Sequence, residues 1–229
     1  MSWHPLFLSV QVAVTAIVVA GALGVALAAL LSRARLPGRD LIDVFVTAPM
    51  ILPPTVLGYY VLVVLGRTSP IGRAYEALTG GTIVFSVTGA VVAAVIGALP
   101  MVVRSARVAF ESVDPTLVLA ARTLGASPLR AFVSIEIPLA ARGIIAGLML
   151  GFARALGDFG VTLMVAGNIP DHTQTAALAI YDAIQASREA DALGMIVVLT
   201  IVGVVPLYVA TKLGGTPTSR ARAEAPRGP

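Results

Sequence analysis

The stretch LAARTLGASPLRAFVSIEIPLA, Leu119 to Ala140, reads as two short helices with a glycine stop between them. Its start signal lies just upstream. Asp114 is a good N-cap, and Pro115 follows it at the position where the first helical turn tolerates an imino acid. From there Leu117, Ala120, Ala121 and Leu124 fall at i, i+3, i+4 and i+7, one apolar stripe along a helix. Gly125 stands where a helix C-terminal glycine would. After Ala126, Ser127 and Pro128 repeat the cap-then-proline signal, and a second amphipathic helix is expected to run to Ile137, closed by Pro138. The hairpin therefore spans 114–138. Its stripe is small, with two alanines at the centre. It suits a helix laid in another protein's groove, and equally a surface helix packed back on its own bundle.

The hairpin lies between long apolar runs. Of 229 residues 57% are hydrophobic, only 12% are charged, and the mean hydropathy is +0.91, which indicates an integral membrane protein and leaves no room for a sizeable soluble domain. Leu6–Ser32 is a first span, too long and too poor in N-terminal positive charge for a cleaved signal peptide. Val44–Gly66 is a second uncharged run, carrying Pro49, Pro53 and Pro54. These prolines mark either a helix break sheltered inside the protein or the start of a shorter helix near Pro54. Ile83–Val103, Gly143–Gly167 and Leu193–Lys212 complete the set. The expected fold is all-α, with five transmembrane helices and a hairpin, over a single domain at 1–213. The tail 214–229, rich in Pro, Gly and Arg, is expected to be disordered.

With no cysteine in the chain, disulfides and thiolate metal sites are excluded, and His4 and His172 are too far apart in sequence to suggest a metal cluster. A net charge of +4 and a pI near 10 could suggest nucleic acid, but most of the basic residues flank apolar runs and read as topology signals. Arg33, Arg35, Arg39, Arg104, Arg107, Arg122, Arg130, Arg142, Lys212, Arg220, Arg222 and Arg227 fall on one side; Arg67, Arg73 and Arg188 fall on the other. That bias puts the N-terminus outside, and the hairpin and C-terminus in the cytoplasm.

Two small-residue stripes predict close packing. Gly143, Gly147 and Gly151 recur every fourth residue in the fourth span, as do Gly89, Ala93 and Gly97 in the third. These spans should form the packed centre, within a subunit or across a dimer axis. Arg154 and Asp158, four apart in FARALGDFG, share a helix face inside the fourth span. They form either a structural ion pair or a pathway contact or gate. The loop GNIPDHTQT offers Asn168, His172, Thr173, Gln174 and Thr175 as neutral donors near a channel mouth, or forms an ordinary polar turn.

AARTLGASPLRAFVSIEIPLA resembles the cytoplasmic coupling motif of ABC importer permeases. Ala120, Ala121, Gly125 and Pro138 match the family pattern, while Val118 and Leu119 stand where its acidic residue is usual. The stretches 36–66, 152–160 and 167–185 are similar to molybdate permeases, with sulfate permeases as close cousins. Molybdate, tungstate and sulfate are tetrahedral dianions of similar shape. The resemblance implies a type I importer permease fold and two copies of this chain. It also implies two cytoplasmic ABC ATPase subunits, which would hold ATP and Mg, and a periplasmic oxyanion-binding protein. Leu117, Ala120, Ala121, Leu124, Gly125, Ala126, Ser127 and Pro128 would form the contact with the ATPase. A phosphate-binding loop needs Gly-Lys-Ser/Thr, yet the single lysine is Lys212, preceded by Thr211, so these residues hold no such motif and no cofactor of their own is expected. The competing class is an ion-coupled secondary transporter with Asp158 as its coupling carboxylate.

Overall fold

The computed structural model describes residues 3–32 and 38–213. Arg33, Arg35, the three tail arginines and the tail itself lie outside the described residues. Eleven helices follow in order. They are α1 (His4–Leu31), α2 (Arg39–Ile51), α3 (Pro54–Leu65), α4 (Pro70–Thr79), α5 (Val87–Glu111), α6 (Pro115–Thr123), α7 (Pro128–Ala131), α8 (Ile137–Leu156), α9 (Gly160–Ala166), α10 (Ala176–Gln185) and α11 (Glu189–Leu213). The described residues contain no strand.

Four helices are long and apolar enough to cross a membrane: α1, α5, the run Pro128–Leu156 and α11; the bent pair α2–α3 makes a fifth if it counts as one span. Helices α1 and α5 run parallel and in direct contact, with α8 antiparallel against both. Ala28 and Leu31 of α1 pack near Val103 and Phe110 of α5 and Ala140 and Ile144 of α8. At the opposite end Leu6 meets Ala176 of α10 and Met195 of α11. The centre is built mostly from alanine: Ala13, Ala16 and Ala20 of α1 against Ala90, Ala94 and Ala98 of α5. Between membrane helices, small side chains let backbones approach and gain dispersion contacts where no hydrophobic drive exists.

The third and fourth spans pack closely, and their two stripes face different neighbours. A Cβ on Gly143 would sit 2.5 Å from Ala109 Cβ, on Gly147 2.7 Å from Ser105 Cβ, and on Gly151 3.0 Å from Val102 Cγ2. The α8 stripe thus lies within the subunit, on Ala98, Val102, Ser105 and Ala109 of α5, with Ile17 Cδ1 of α1 closest to a Cβ on Gly151 at 2.7 Å, and Ser105 Oγ donates to the Gly143 carbonyl at 2.8 Å. The Gly89–Ala93–Gly97 stripe of α5 faces elsewhere. Gly89 backs onto Val165 of α9, Ala93 joins a cluster with Leu57, Val61 and Val161, and Gly97 lies beside the Arg154 guanidinium.

Both proline-rich and charged spans are interrupted. Helices α2 and α3 are bent by 117° at Leu52–Pro53, so the break and the new helix start at Pro54 are one feature. Pro49 is accommodated inside α2. The 12 residues of α3 rise about 18 Å, short of the roughly 30 Å hydrocarbon core. The fourth span breaks at Gly157–Phe159, between α8 and α9. The third and fifth spans are longer than their uncharged cores suggest, because Arg104, Arg107 and Glu111 extend α5 and Glu189 and Asp191 open α11.

Pro138 does not close the second hairpin helix. A π-turn at Phe132–Glu136 joins α7 to α8, so the chain is helical from Pro128 to Leu156. Proline in an α-helix interior clashes with the carbonyl four residues back, here Ser134. That carbonyl lies in the widened turn, which relieves the clash and absorbs the missing N–H donor.

Candidate functional site

Two groups of residues stand out: the hairpin at one end of the bundle and the charged break in its middle.

In the hairpin, the Asp114 carboxylate accepts from the Thr116 N–H at 2.9 Å, and Ser127 Oγ accepts from the Arg130 N–H at 3.3 Å. The Thr116 backbone and side-chain hydrogen bonds hold the Asp114 carboxyl below its ordinary value. Gly125 sits at φ +91°, with the Ala126 N–H bonded to the Ala121 carbonyl and the Gly125 N–H to the Arg122 carbonyl. That pair of bonds is a Schellman closure, and its left-handed residue is the reason for a glycine. No residue of α6 is buried. Pro115, Val118 and Arg122 line a cleft of about 380 Å³ toward the bundle, with Ser32 and Phe110 opposite. The stripe named from the sequence points elsewhere: Leu117, Ala120 and Leu124 are exposed, Leu124 at 89%, and Ala121 is half-buried. Ala126 is half-buried, and Pro128 and Leu129 are exposed. The bundle-facing and outward-facing sides of α6 are therefore different stripes, which periodicity alone did not separate.

Beside the hairpin, Arg39 of α2 bonds Glu111 of α5 at 2.7 Å. Arg107 bonds Glu111 at 2.9 Å and Asp43 of α2 at 3.1 Å. Sequence reading used these arginines only as topology signals. The i,i+4 spacing of Arg107 and Glu111 was the available clue.

At the mid-bundle break, Arg154 Nη1 donates to Asp158 Oδ1 at 2.9 Å. Asp158 Oδ2 accepts from the Thr162 N–H at 3.0 Å and from Thr162 Oγ1 at 2.7 Å. The carboxylate thus ties the end of α8 to the first turn of α9, and it is only 3% exposed. The α2–α3 break lies against the same point. A Cβ on Gly160 would meet Pro54 Cβ at 2.6 Å, and one on Gly58 would meet Met164 Cβ at 2.6 Å. Helices α3 and α9 therefore run side by side from one level, each starting at a break. Irregular backbone at membrane depth persists only where protein covers it or a water-filled cavity adjoins it. Gly157, in the break, is exposed.

The loop 167–175 is organised around its own groups rather than opening its donors outward. The Asn168 and Gln174 amides both donate to Asp182 of α10, at 2.8–2.9 Å, and Gln174 also donates to Asn168 Oδ1 at 3.0 Å. Thr173 is buried and accepts from the Ile169 N–H. Thr175 is buried, its hydroxyl unpartnered among the described residues, and Ser9 Oγ of α1 accepts from the adjacent Ala176 N–H at 2.7 Å. His172 alone of the five is exposed. The carboxylate Asp182, which the sequence reading passed over, is what draws the amides inward. Among the described residues no group of three His, Asp or Glu could hold a metal.

Residues 8–213 match the family model described as the binding-protein-dependent transport system inner membrane component. A molybdenum transport system permease protein of Escherichia coli (strain K12) is 43% identical over 183 residues, which cover 80% of each chain. One from Haemophilus influenzae is also 43% identical, over 178 residues and 78% of each chain. In three dimensions, an amino acid ABC transporter crystallised with histidines aligns over 95% of this chain and 91% of its own. Its TM-score is 0.56 and its sequence identity 17%, a likeness of fold. With a family model matched over nearly its whole length, this chain belongs to the inner membrane components of binding-protein-dependent transport systems.

Proposed function

We propose that this chain is the membrane-spanning subunit of an ATP-driven importer that carries molybdate into the cytoplasm by alternating access. It works as a pair with a second copy of itself, with two ABC ATPase subunits on the cytoplasmic side and an oxyanion-binding protein outside. The N-terminus faces out, and the hairpin and C-terminus face the cytoplasm, as the arginine bias requires.

The observation that carries this reading is the hairpin. Its shape is fixed by two caps and a Schellman closure, yet its apolar stripe is left uncovered, on a chain whose 229 residues hold no phosphate-binding loop. A rigid exposed stripe without its own power source fits a partner's groove. The absence of the motif acid at Leu119 makes that contact mainly apolar. Because the chain is helical from Pro128 to Leu156 through the π-turn, displacement of the hairpin would reach the Arg154–Asp158 break along one helix. Closure of the ATPase pair would move the hairpins and rotate α8 and α9 against α3. Molybdate is favoured over sulfate because the similar permeases are named for molybdenum transport. A secondary transporter is disfavoured: Asp158 already accepts three hydrogen bonds from its own segment, which suits an anchor more than a carboxylate that loads and unloads a cation.

The test is Gly125→Val. Nothing lies within 4 Å of a Cβ at Gly125, so the change strains only the left-handed turn, by about 1–2 kcal/mol, and leaves the bundle untouched. The expected result is a folded membrane protein that no longer retains the ATPase subunits on purification and no longer supports uptake. Normal ATP-driven uptake without retained ATPase would overturn the proposal.

A further inference from the structure

The geometry points to Arg154 as the cation that the translocating tetrahedral oxyanion meets at mid-membrane depth, with Asp158 as its holder rather than its permanent partner. This rests on reading the chain as an oxyanion permease.

The two members of the pair are treated differently by the fold. The Asp158 side chain is 2% exposed, and all its work is local: it binds Arg154, the Thr162 N–H and the Thr162 hydroxyl. A guanidinium carries five N–H donors. Among the described residues, Arg154 uses one of them, and its side chain is 33% exposed. A purely structural pair inside a membrane protein would hide both charges, since an exposed cation at this depth is costly. The Arg154–Asp158 pair spans the α8–α9 break, where Gly157 presents an uncovered side and Gly160 meets Pro54 of the α2–α3 break. Lipid cannot cover broken backbone, so that side faces water or a second copy around a water-filled path. Gly97 presents no side chain to the guanidinium; a Cβ there would lie 3.5 Å from Arg154 Cζ.

The arrangement also suits transport rather than capture. A lone cation would hold a dianion too strongly to release it. A cation already paired with a carboxylate attracts the anion without trapping it, as conduction requires. The planar fork matches two oxygens of a tetrahedral oxyanion.

The experiment uses the assembled importer, with its ATPase subunits and binding protein, in lipid vesicles, measuring inorganic molybdate delivered per ATP hydrolysed. In Arg154→Gln/Asp158→Asn both charges are removed together: Asn keeps the shape of Asp158 and an oxygen that can accept from the Thr162 N–H and hydroxyl, while the shorter Gln keeps an amide donor without the cation. Molybdate delivered per ATP hydrolysed should fall by about ten-fold or more. Arg154→Lys, which keeps the charge and loses the fork, should fall between. A neutral-pair variant with the native ratio overturns the proposal, as does one that loses hydrolysis and transport in parallel. A native importer that moves no molybdate with ATP sinks the functional reading instead. A second measurement covers a variant that assembles poorly. The chain has no cysteine, so Arg154→Cys offers one thiol. A polar, membrane-impermeant thiol reagent should label it. An inert thiol in both nucleotide-free and ATP-bound importer overturns the proposal.

Discussion

Moving one methyl group across the α5–α8 contact gives a sharp test of the packing. A Cβ on Gly143 would lie 2.5 Å from Ala109 Cβ, while its next neighbours, Ala109 Cα and the Ser105 carbonyl oxygen, are 3.5 and 3.7 Å away. Carbon atoms prefer separations of about 3.5–4.0 Å, so Gly143→Ala is short by about 1 Å at one atom only. Overpacking of that kind costs about 1–3 kcal/mol, offset by about 1 kcal/mol of helix propensity gained on replacing glycine, for a net loss near 1 kcal/mol. Ala109→Gly alone loses about 1 kcal/mol of propensity and about 0.8 kcal/mol for the buried methyl, so about 2 kcal/mol. In the double variant the methyl occupies the same spot from the opposite helix and the propensities cancel, so stability should return close to the native value. The coupling is then about 2–3 kcal/mol, at the upper end for residues in contact. Reversible unfolding of the purified permease in mixed detergent micelles reads all four states of the cycle. Gly97→Ala is the control: its nearest neighbour, at 3.5 Å, is the end of the Arg154 side chain, so it meets no clash and should gain up to about 1 kcal/mol of helix propensity. A double variant as unstable as the sum of the single ones would mean that α5 and α8 do not pack in this register.

Two further outcomes follow from the charges near the hairpin. Glu111→Gln removes the carboxylate that joins Arg39 to Arg107, and should loosen the N-terminal half of α2, which the Arg107–Asp43 pair alone then holds to α5. Amide exchange at α2 should rise several-fold, and the difference should shrink at high salt, where partly exposed ion pairs are already screened. Asp114, whose carboxyl is held below its ordinary value, supports the hairpin fully above the unfolded pKa and loses that support only as pH falls through the lower folded value. ATPase retention should therefore be flat between about pH 5 and 8, and Asp114→Asn, which caps equally well, should leave it unchanged; Asp114→Ala should weaken it.

The parts of the fold that were legible in the sequence are those set by local chemistry. The caps at Asp114 and Ser127, the left-handed turn at Gly125 and the apolar lengths of α1, α5 and α11 all depend on residues close in sequence. The Pro53–Pro54 break was legible too, because proline acts on its own turn. What sequence did not settle depends on partners far along the chain. Which side of α5 receives the α8 glycines is decided by Ala109 and Ser105, and which donors of the 167–175 loop turn inward is decided by Asp182. Pro138 misled for another reason: a π-turn, a rare local solution, lets a helix pass through a proline that a plain reading treats as a stop. At the charged break, the i,i+4 spacing disclosed the Arg154–Asp158 pair. The unequal burial of its two members needed the fold.

The central claim is that this chain passes molybdate through the membrane at the expense of ATP hydrolysed by a partner. The most direct test reconstitutes it with its ATPase subunits and binding protein in lipid vesicles and follows labelled molybdate, with and without ATP, against a large excess of sulfate. Uptake that requires ATP, vanishes when this chain is omitted and resists sulfate is the predicted result. Uptake that proceeds on an ion gradient without ATP would contradict the claim, and sulfate competing as well as molybdate would move the substrate to sulfate.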